Sequence, residues 1–317
     1  MNIFFKPAIV GVSGVSVSKK EYFLFRKHKP LGYIIFTRNI KNLIQLKNLI
    51  SELRSINHEQ NVLIMIDHEG GRVNRFLNLF DQSNYSAKIL GNYYQTNKNL
   101  FNKQIKKFIN FNSNLFKYLG INLVAAPVLD LFYQGKSNVI GDRAYSNKVE
   151  IVKAIGNIIV DLYSKKNIFT IGKHVPGHGL SNQDSHFFLP VIKKSKEYLF
   201  ENDFRCFEDI KSHFLMTAHI IYEDLDKNLP ATHSSLIIKN VIKSKFKFSG
   251  LIMSDDLCMK ALSGSIEKKI SKSFDAGCDI ILHCSGDFHE MNKLLRATKF
   301  ASNNLLAKMN KMFNYNQ

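Results

Sequence analysis

The chain has 317 residues, 45% hydrophobic and 22% charged, which fits one or two globular domains and excludes a disordered chain. It has no run of ~18 apolar residues that could span a membrane, and no Cys-x-x-Cys pair links its four cysteines into a zinc ribbon. The net charge of +18 comes from 36 Lys and only 8 Arg, scattered among 31 Asn without a basic run of five, which reads as compositional drift rather than a specific nucleic-acid groove.

The opening stretch, Met1-Asn2-Ile3-Phe4-Phe5-Lys6-Pro7, lacks the basic, apolar and small-residue segments of a secretory signal, so a cytoplasmic, reducing location is expected. Eight short apolar, β-branched runs follow, at residues 8–12, 33–36, 62–66, 121–125, 168–171, 214–217, 251–253 and 279–282. They are continuous rather than alternating, as expected of parallel strands buried on both faces. Between them lie segments of helical period. One over 100–119 carries Phe101, Ile105, Phe108, Leu115 and Leu119, with Asn112 interrupting the apolar stripe. Another carries Val149, Val152, Ile155, Ile159 and Leu162, with Ser146 as its expected cap. Residues 287–313 read as helix throughout.

Eight strand–helix alternations predict a (β/α)₈ barrel, a single domain over residues 1–317, with an insertion in the gap of about 55 residues between the third and fourth strands. A doubly wound open sheet is the alternative, but no G-x-G-x-x-G or Walker loop supports it. No apolar surface stripe calls for an obligate partner, so a monomer is expected.

In such a barrel the C-terminal strand ends converge on the active-site face. The second strand ends in Thr37-Arg38-Asn39 and the third in Asp67-His68-Glu69-Gly70-Gly71-Arg72-Val73-Asn74-Arg75. The fifth ends in Gly172-Lys173-His174-Val175-Pro176-Gly177-His178-Gly179, the sixth in Ala218-His219, and the seventh in Ser254-Asp255-Asp256. Half of the arginines (Arg38, Arg72, Arg75 and Arg143) sit in polar turns, where a planar fork serves multidentate contacts or ties loops together. Asp255 is placed to face the barrel mouth as a nucleophile or metal ligand, or else to pair with Lys173. Asp256 is expected to face the other way, since adjacent strand residues alternate. Asp184, two residues before His186, can orient that imidazole and favour its protonated form, which makes a competent general acid/base.

The blocks Asp67-His68-Glu69-Gly70-Gly71-Arg72-Val73, Lys173-His174-Val175-Pro176-Gly177-His178-Gly179 with Asp184-Ser185-His186, and Ser254-Asp255-Asp256-Leu257 occur in this order. Together they resemble the bacterial β-N-acetylglucosaminidases of glycoside hydrolase family 3, most of all the short cytosolic enzymes of cell-wall recycling. The likeness runs from about residue 34 to about residue 284. It implies a retaining β-N-acetylhexosaminidase acting on a small N-acetylglucosamine-containing carbohydrate, with no cofactor and no metal. It implies Asp255 as nucleophile, His186 as acid/base and Asp184 as its orienting partner. Asp67, Arg75, Arg143, Lys173 and His174 would bind the sugar. The chain departs from the family where Cys258 and Lys260 follow Leu257, in place of a small polar residue and an acid, and where Val175 replaces a commoner aromatic.

Two rival functions remain open on sequence alone. One is a metal-dependent barrel hydrolase built from Asp67, His68, His174 and His219. The other is a drifted barrel that binds N-acetylglucosamine without turning it over. A variant of the glycosidase reading keeps the same site but transfers the sugar to phosphate.

Overall fold

The structure, a computed structural model, describes residues 5–56, 62–136 and 138–315. Part of the opening stretch therefore lies outside the described residues. In chain order the strands are β1 (Lys6–Gly11), β2 (Pro30–Ile35), β3 (Leu63–Ile66), β4 (Leu123–Val124), β5 (Phe169–Val175), β6 (Val191–Ile192), β7 (Phe214–Thr217), β8 (Ile221–Tyr222), β9 (Leu251–Asp256) and β10 (Ile280–His283). Eight of them close into a parallel barrel in the order β1-β10-β9-β7-β5-β4-β3-β2. Each of the eight apolar runs contributes one barrel strand, and the open-sheet alternative is excluded by closure. The short parallel pair β6–β8 stands apart from the barrel and has no counterpart in the sequence reading.

The strands form where they do because both of their faces are buried. Ile9, Ile34, Met65, Ile171, Met216 and Leu282 belong to one apolar cluster, the barrel interior. Their neighbours Val10, Ile35, Ile66 and Ile281 belong to a second cluster, shared with the surrounding helices. This two-residue period turns a continuous apolar run into two separate cores.

The helices are α1 (Lys19–His28), α2 (Leu43–Ile56), α3 (Ala87–Thr96), α4 (Lys98–Leu119), α5 (Val149–Ser164), α6 (Lys196–Glu201), α7 (Ile266–Ala276), α8 (Phe288–Ala297) and α9 (Asn303–Tyr315). The long third gap does carry an insertion, a turn-rich stretch and α3 ahead of α4. Asn112 is fully buried on α4, where its Oδ1 accepts from Gln82 Nε2 at 2.9 Å. The polar break in the stripe thus anchors the loop that follows β3.

Two local expectations are corrected. The residue capping α5 is Lys148, not Ser146; the Ser146 hydroxyl instead accepts from the Lys148 N–H at 3.2 Å, a turn just outside the helix. Residues 287–313 are not one helix. The chain breaks between α8 and α9, where the Ala301 N–H donates to Phe5 O at 2.8 Å and turns the chain beneath the barrel. There Leu305 and Met309 join Phe5 in the interior cluster, and Phe313 meets Phe169 edge-on at 5.4 Å between ring centroids. Lys308 Nζ reaches Asp279 Oδ1 at 3.2 Å. Helix α9 therefore closes the N-terminal end of the barrel.

Candidate active site

A cavity of about 150 Å³ opens at the C-terminal end of the barrel. Ile34, Met65, Met216 and Leu282 form its apolar floor, and Asp67, Arg75, Arg143, Lys173, His174, His186 and Asp255 line it above. Of the site residues expected from the sequence, only Asp184 does not itself line the cavity; it stands behind His186.

One wall is a chain of alternating charges. Arg75 Nη2 donates to Asp67 Oδ2 at 2.6 Å, and Lys173 Nζ donates to Asp67 Oδ1 and to Glu69 Oε1, both at 2.6 Å. Glu69 in turn accepts from Arg143 Nε and Nη2, each at 2.8 Å, a bidentate clasp. Burial alone raises Asp67 and Glu69, but the cations reverse that. Lys173, Arg75 and Arg143 hold Asp67 far below the usual carboxylate range, and Arg143 with Lys173 brings Glu69 down to about 2. Burial acts to lower Lys173, and its two carboxylates raise it above the ordinary lysine value. Both acids stay ionised and the lysine stays charged. Arg75 Nε is buried without a hydrogen-bond partner. Glu69 was not singled out from sequence, although its spacing from Asp67 in Asp67-His68-Glu69 was the available signal.

The turn after β5 is organised by a second carboxylate that sequence reasoning missed. Asp130 is fully buried and accepts from His174 Nδ1 at 2.7 Å and from the His178 N–H at 2.7 Å. Burial raises it, and His174 and His178 bring it below its ordinary value. The turn needs its glycines. Gly177 has φ +143°, and a Cβ on Gly179 would lie 2.2 Å from Leu131 O. Lys173 and His174, adjacent in β5, both reach the cavity. The pairing of β5 with β7 slips between Lys173 and Val175, so strict alternation fails there.

The same device corrects Asp256. The β9–β10 pairing shifts between Met253 and Asp256, and both Asp255 and Asp256 line the cavity. Asp256 is occupied with backbone. Its Oδ1 accepts from the N–H groups of Cys258 and Cys284, both at 3.0 Å. Asp255 does not pair with Lys173, which is engaged by Asp67 and Glu69. Burial pushes Asp255 up; the imidazoles of His219 and His174, the Asp256 N–H and Lys173 bring it below its ordinary value. Asp255 is thus an ionised carboxylate facing the cavity.

On the rim, Asp184 Oδ1 accepts from His186 Nδ1 at 2.7 Å and from the His186 N–H at 2.9 Å. Burial raises Asp184, and these two contacts together with the His186 charge bring it below its ordinary value. With Nδ1 committed, Nε2 is the nitrogen available to the cavity. The Lys260 N–H donates to His186 O at 3.1 Å, tying the turn after β9 to this loop.

The metal-hydrolase set is not assembled. Asp67 is held by Lys173 and Arg75; His68 lies buried against Gln82 and the rings of Phe76 and Phe116. His174 is on Asp130, and His219 is on Thr232 and Asp256 O. Two of the singled-out arginines are ties. Arg38 donates to Val12 O and Cys284 O, and Arg72 holds Asp142 and the carbonyls of Asn138, Val139 and Ile140.

Fold and site together place the chain among the barrel enzymes. It belongs to glycosyl hydrolase family 3, whose N terminal domain model matches residues 12–314, and it is a glycoside hydrolase. A beta-hexosaminidase of Shewanella frigidimarina is 34% identical over 296 residues, 90% of this chain and 84% of that protein. A beta-hexosaminidase of Thioalkalivibrio sulfidiphilus is 32% identical over 284 residues, 88% and 80% of the two chains. The crystal structure of NagZ from Neisseria gonorrhoeae in complex with N-trifluoroacetyl-D-glucosamine superposes with a TM-score of 0.87 at 28% identity, covering 98% of this chain and 90% of that one.

Proposed function

We propose that this chain is a retaining β-N-acetylhexosaminidase, one barrel domain over residues 1–317, that removes terminal N-acetylglucosamine from β-linked substrates. The observation that carries the reading is the joint opening of Asp255 and His186 into one small cavity, with His186 held by Asp184. The cavity, below the ~300 Å³ of drug-sized sites, suits a single terminal sugar rather than a chain.

In the first step an Asp255 oxygen attacks the anomeric carbon. The bond to the aglycone breaks, and the proton on His186 Nε2 goes to the leaving oxygen. In the second step Nε2 takes a proton from water, whose oxygen attacks the same carbon. The ester bond to Asp255 breaks and its carboxylate is restored. Two inversions give net retention. Asp67, Arg75, Arg143, Lys173 and His174 bind the sugar. Their salt bridges fix these groups before substrate arrives, which supports catalysis by orientation. The aglycone is a peptidoglycan fragment in the cytoplasm. No helix among the described residues is long and apolar enough to cross a membrane.

The test is hydrolysis of an aryl β-N-acetylglucosaminide by the purified chain, with and without EDTA, beside Asp255→Asn. Turnover insensitive to EDTA and lost in the variant is expected. Chelator-sensitive turnover, or saturable sugar binding without turnover, would overturn the reading.

A further inference from the structure

We propose that Cys258, His283 and Glu290 form a binding site for a thiophilic divalent cation, zinc by its ligand chemistry, on the barrel rim outside the sugar cavity. None of the three lines that cavity.

The ligands come from three elements. Cys258 lies in the turn after β9, His283 is the last residue of β10, and Glu290 is in the first turn of α8. One ligand atom from each lies within 4.8 Å of the others, the only such grouping of His, Cys and carboxylate side chains found among the described residues. His283 Nε2 stands 3.6 Å from Glu290 Oε2. Bonds of about 2.0–2.1 Å at tetrahedral angles place such nitrogen and oxygen ligands roughly 3.4 Å apart. That pair is already nearly at coordination spacing. The Glu290 side chain is 57% exposed, so a small rotation would close the remainder.

The His283 side chain is only 1% exposed, and its Nε2, the nitrogen that faces Glu290, stands just beyond hydrogen-bond distance of that carboxylate. Neutral imidazole is also the form that binds metal. Glu290 Oε2 accepts from Ser285 Oγ at 2.9 Å, an outer contact that orients the carboxylate. One thiolate, one imidazole and one carboxylate suit zinc rather than magnesium or calcium. The fourth position falls to water. On binding, the Cys258 S–H gives its proton to solvent and sulfur takes the metal, so one proton leaves per cation.

The site clips the turn after β9 to β10 and α8. Asp256, next to Asp255, already joins the Cys258 and Cys284 backbones, and a cation adds a stronger link across the same seam. Its role is to stiffen the end of β9, not to enter the sugar chemistry.

Titration of the intact protein with cobalt(II), a spectroscopic substitute for zinc, tests this. One equivalent is expected to raise a sulfur-to-metal charge-transfer band in the near ultraviolet. Cys258→Ser loses that band. Glu290→Gln binds at least about tenfold more weakly, since even outer contacts cost 10–100-fold. Zinc raises the unfolding midpoint of the wild type and not that of Cys258→Ser. A band only at large excess of cobalt, or one undiminished in Cys258→Ser, overturns the site. Aryl glycoside turnover, measured on the same samples, tests the glycosidase reading separately.

Discussion

One oxygen of Asp184 holds His186 twice, accepting from its backbone N–H at 2.9 Å and from its Nδ1 at 2.7 Å. The contact fixes ring and backbone together, so the imidazole is aimed by its own loop. Asp184→Asn retains an acceptor but loses the charge that favours imidazolium. It is expected to lower kcat by ~10²–10⁴ on substrates with poor leaving groups and far less on activated aryl glycosides. Equal losses on both would show that the pair only binds.

Lys173 is the hinge of the charge chain. Its side chain is 3% exposed and neutralises Asp67 and Glu69 together. Lys173→Met leaves the buried Glu69 and the half-buried Asp67 short of a cation, at a cost of about 3–5 kcal/mol. Urea denaturation should show that loss at pH 7. The gap to wild type should narrow as pH falls and those carboxylates take up protons.

Asp203 supplies an opposite pH signature. Burial, with Asp130 nearby, pushes it up to about 7, against the pull of the Tyr133 hydroxyl that donates to its Oδ2 at 2.8 Å. The folded chain therefore keeps a proton that the unfolded chain releases at much lower pH. The stability this contributes is complete below about pH 4 and is lost as pH rises through 7, roughly 4 kcal/mol in all. Buried histidines such as His68 and His178, brought down to about 4 by burial, act in the other direction at acid pH. The informative quantity is thus the difference between wild type and Asp203→Asn, which should grow more favourable to the variant from pH 5 to pH 8. A constant difference would remove Asp203 as the titrating group.

Gly179→Ala sets a Cβ 2.2 Å from a backbone oxygen, that of Leu131, which cannot rotate away. Overpacking of this kind costs about 1–3 kcal/mol. Because Asp130 lies one residue before Leu131 and holds the same turn, a loss of sugar affinity should accompany the lower unfolding midpoint. Intact affinity would detach the turn from the site.

The barrel was legible because its strands are buried on both faces, so each run stays apolar from end to end. The Asp184–His186 pair was legible for a different reason, since two residues apart in a turn suffice to make contact. The errors share a cause as well. Asp256 was assigned to the wrong face because alternation assumes an unbroken register, and the β9–β10 pairing shifts at that point. Glu69 and Asp130 act through other side chains, and their partners are distant in sequence. The break before α9 reflects the need to reach the barrel floor, which helical periodicity does not record.

That floor has a kinetic consequence. Leu305 and Met309 are seated beneath the strands, and the cavity lined by Asp255 and His186 lies at the opposite end of the barrel. On the proposed function, substrate, hydrolytic water and both products use that same entrance in turn. On the proposed mechanism the aglycone clears the entrance before water reaches the sugar held behind it. The released monosaccharide, last to leave, then competes with the next substrate for the same passage.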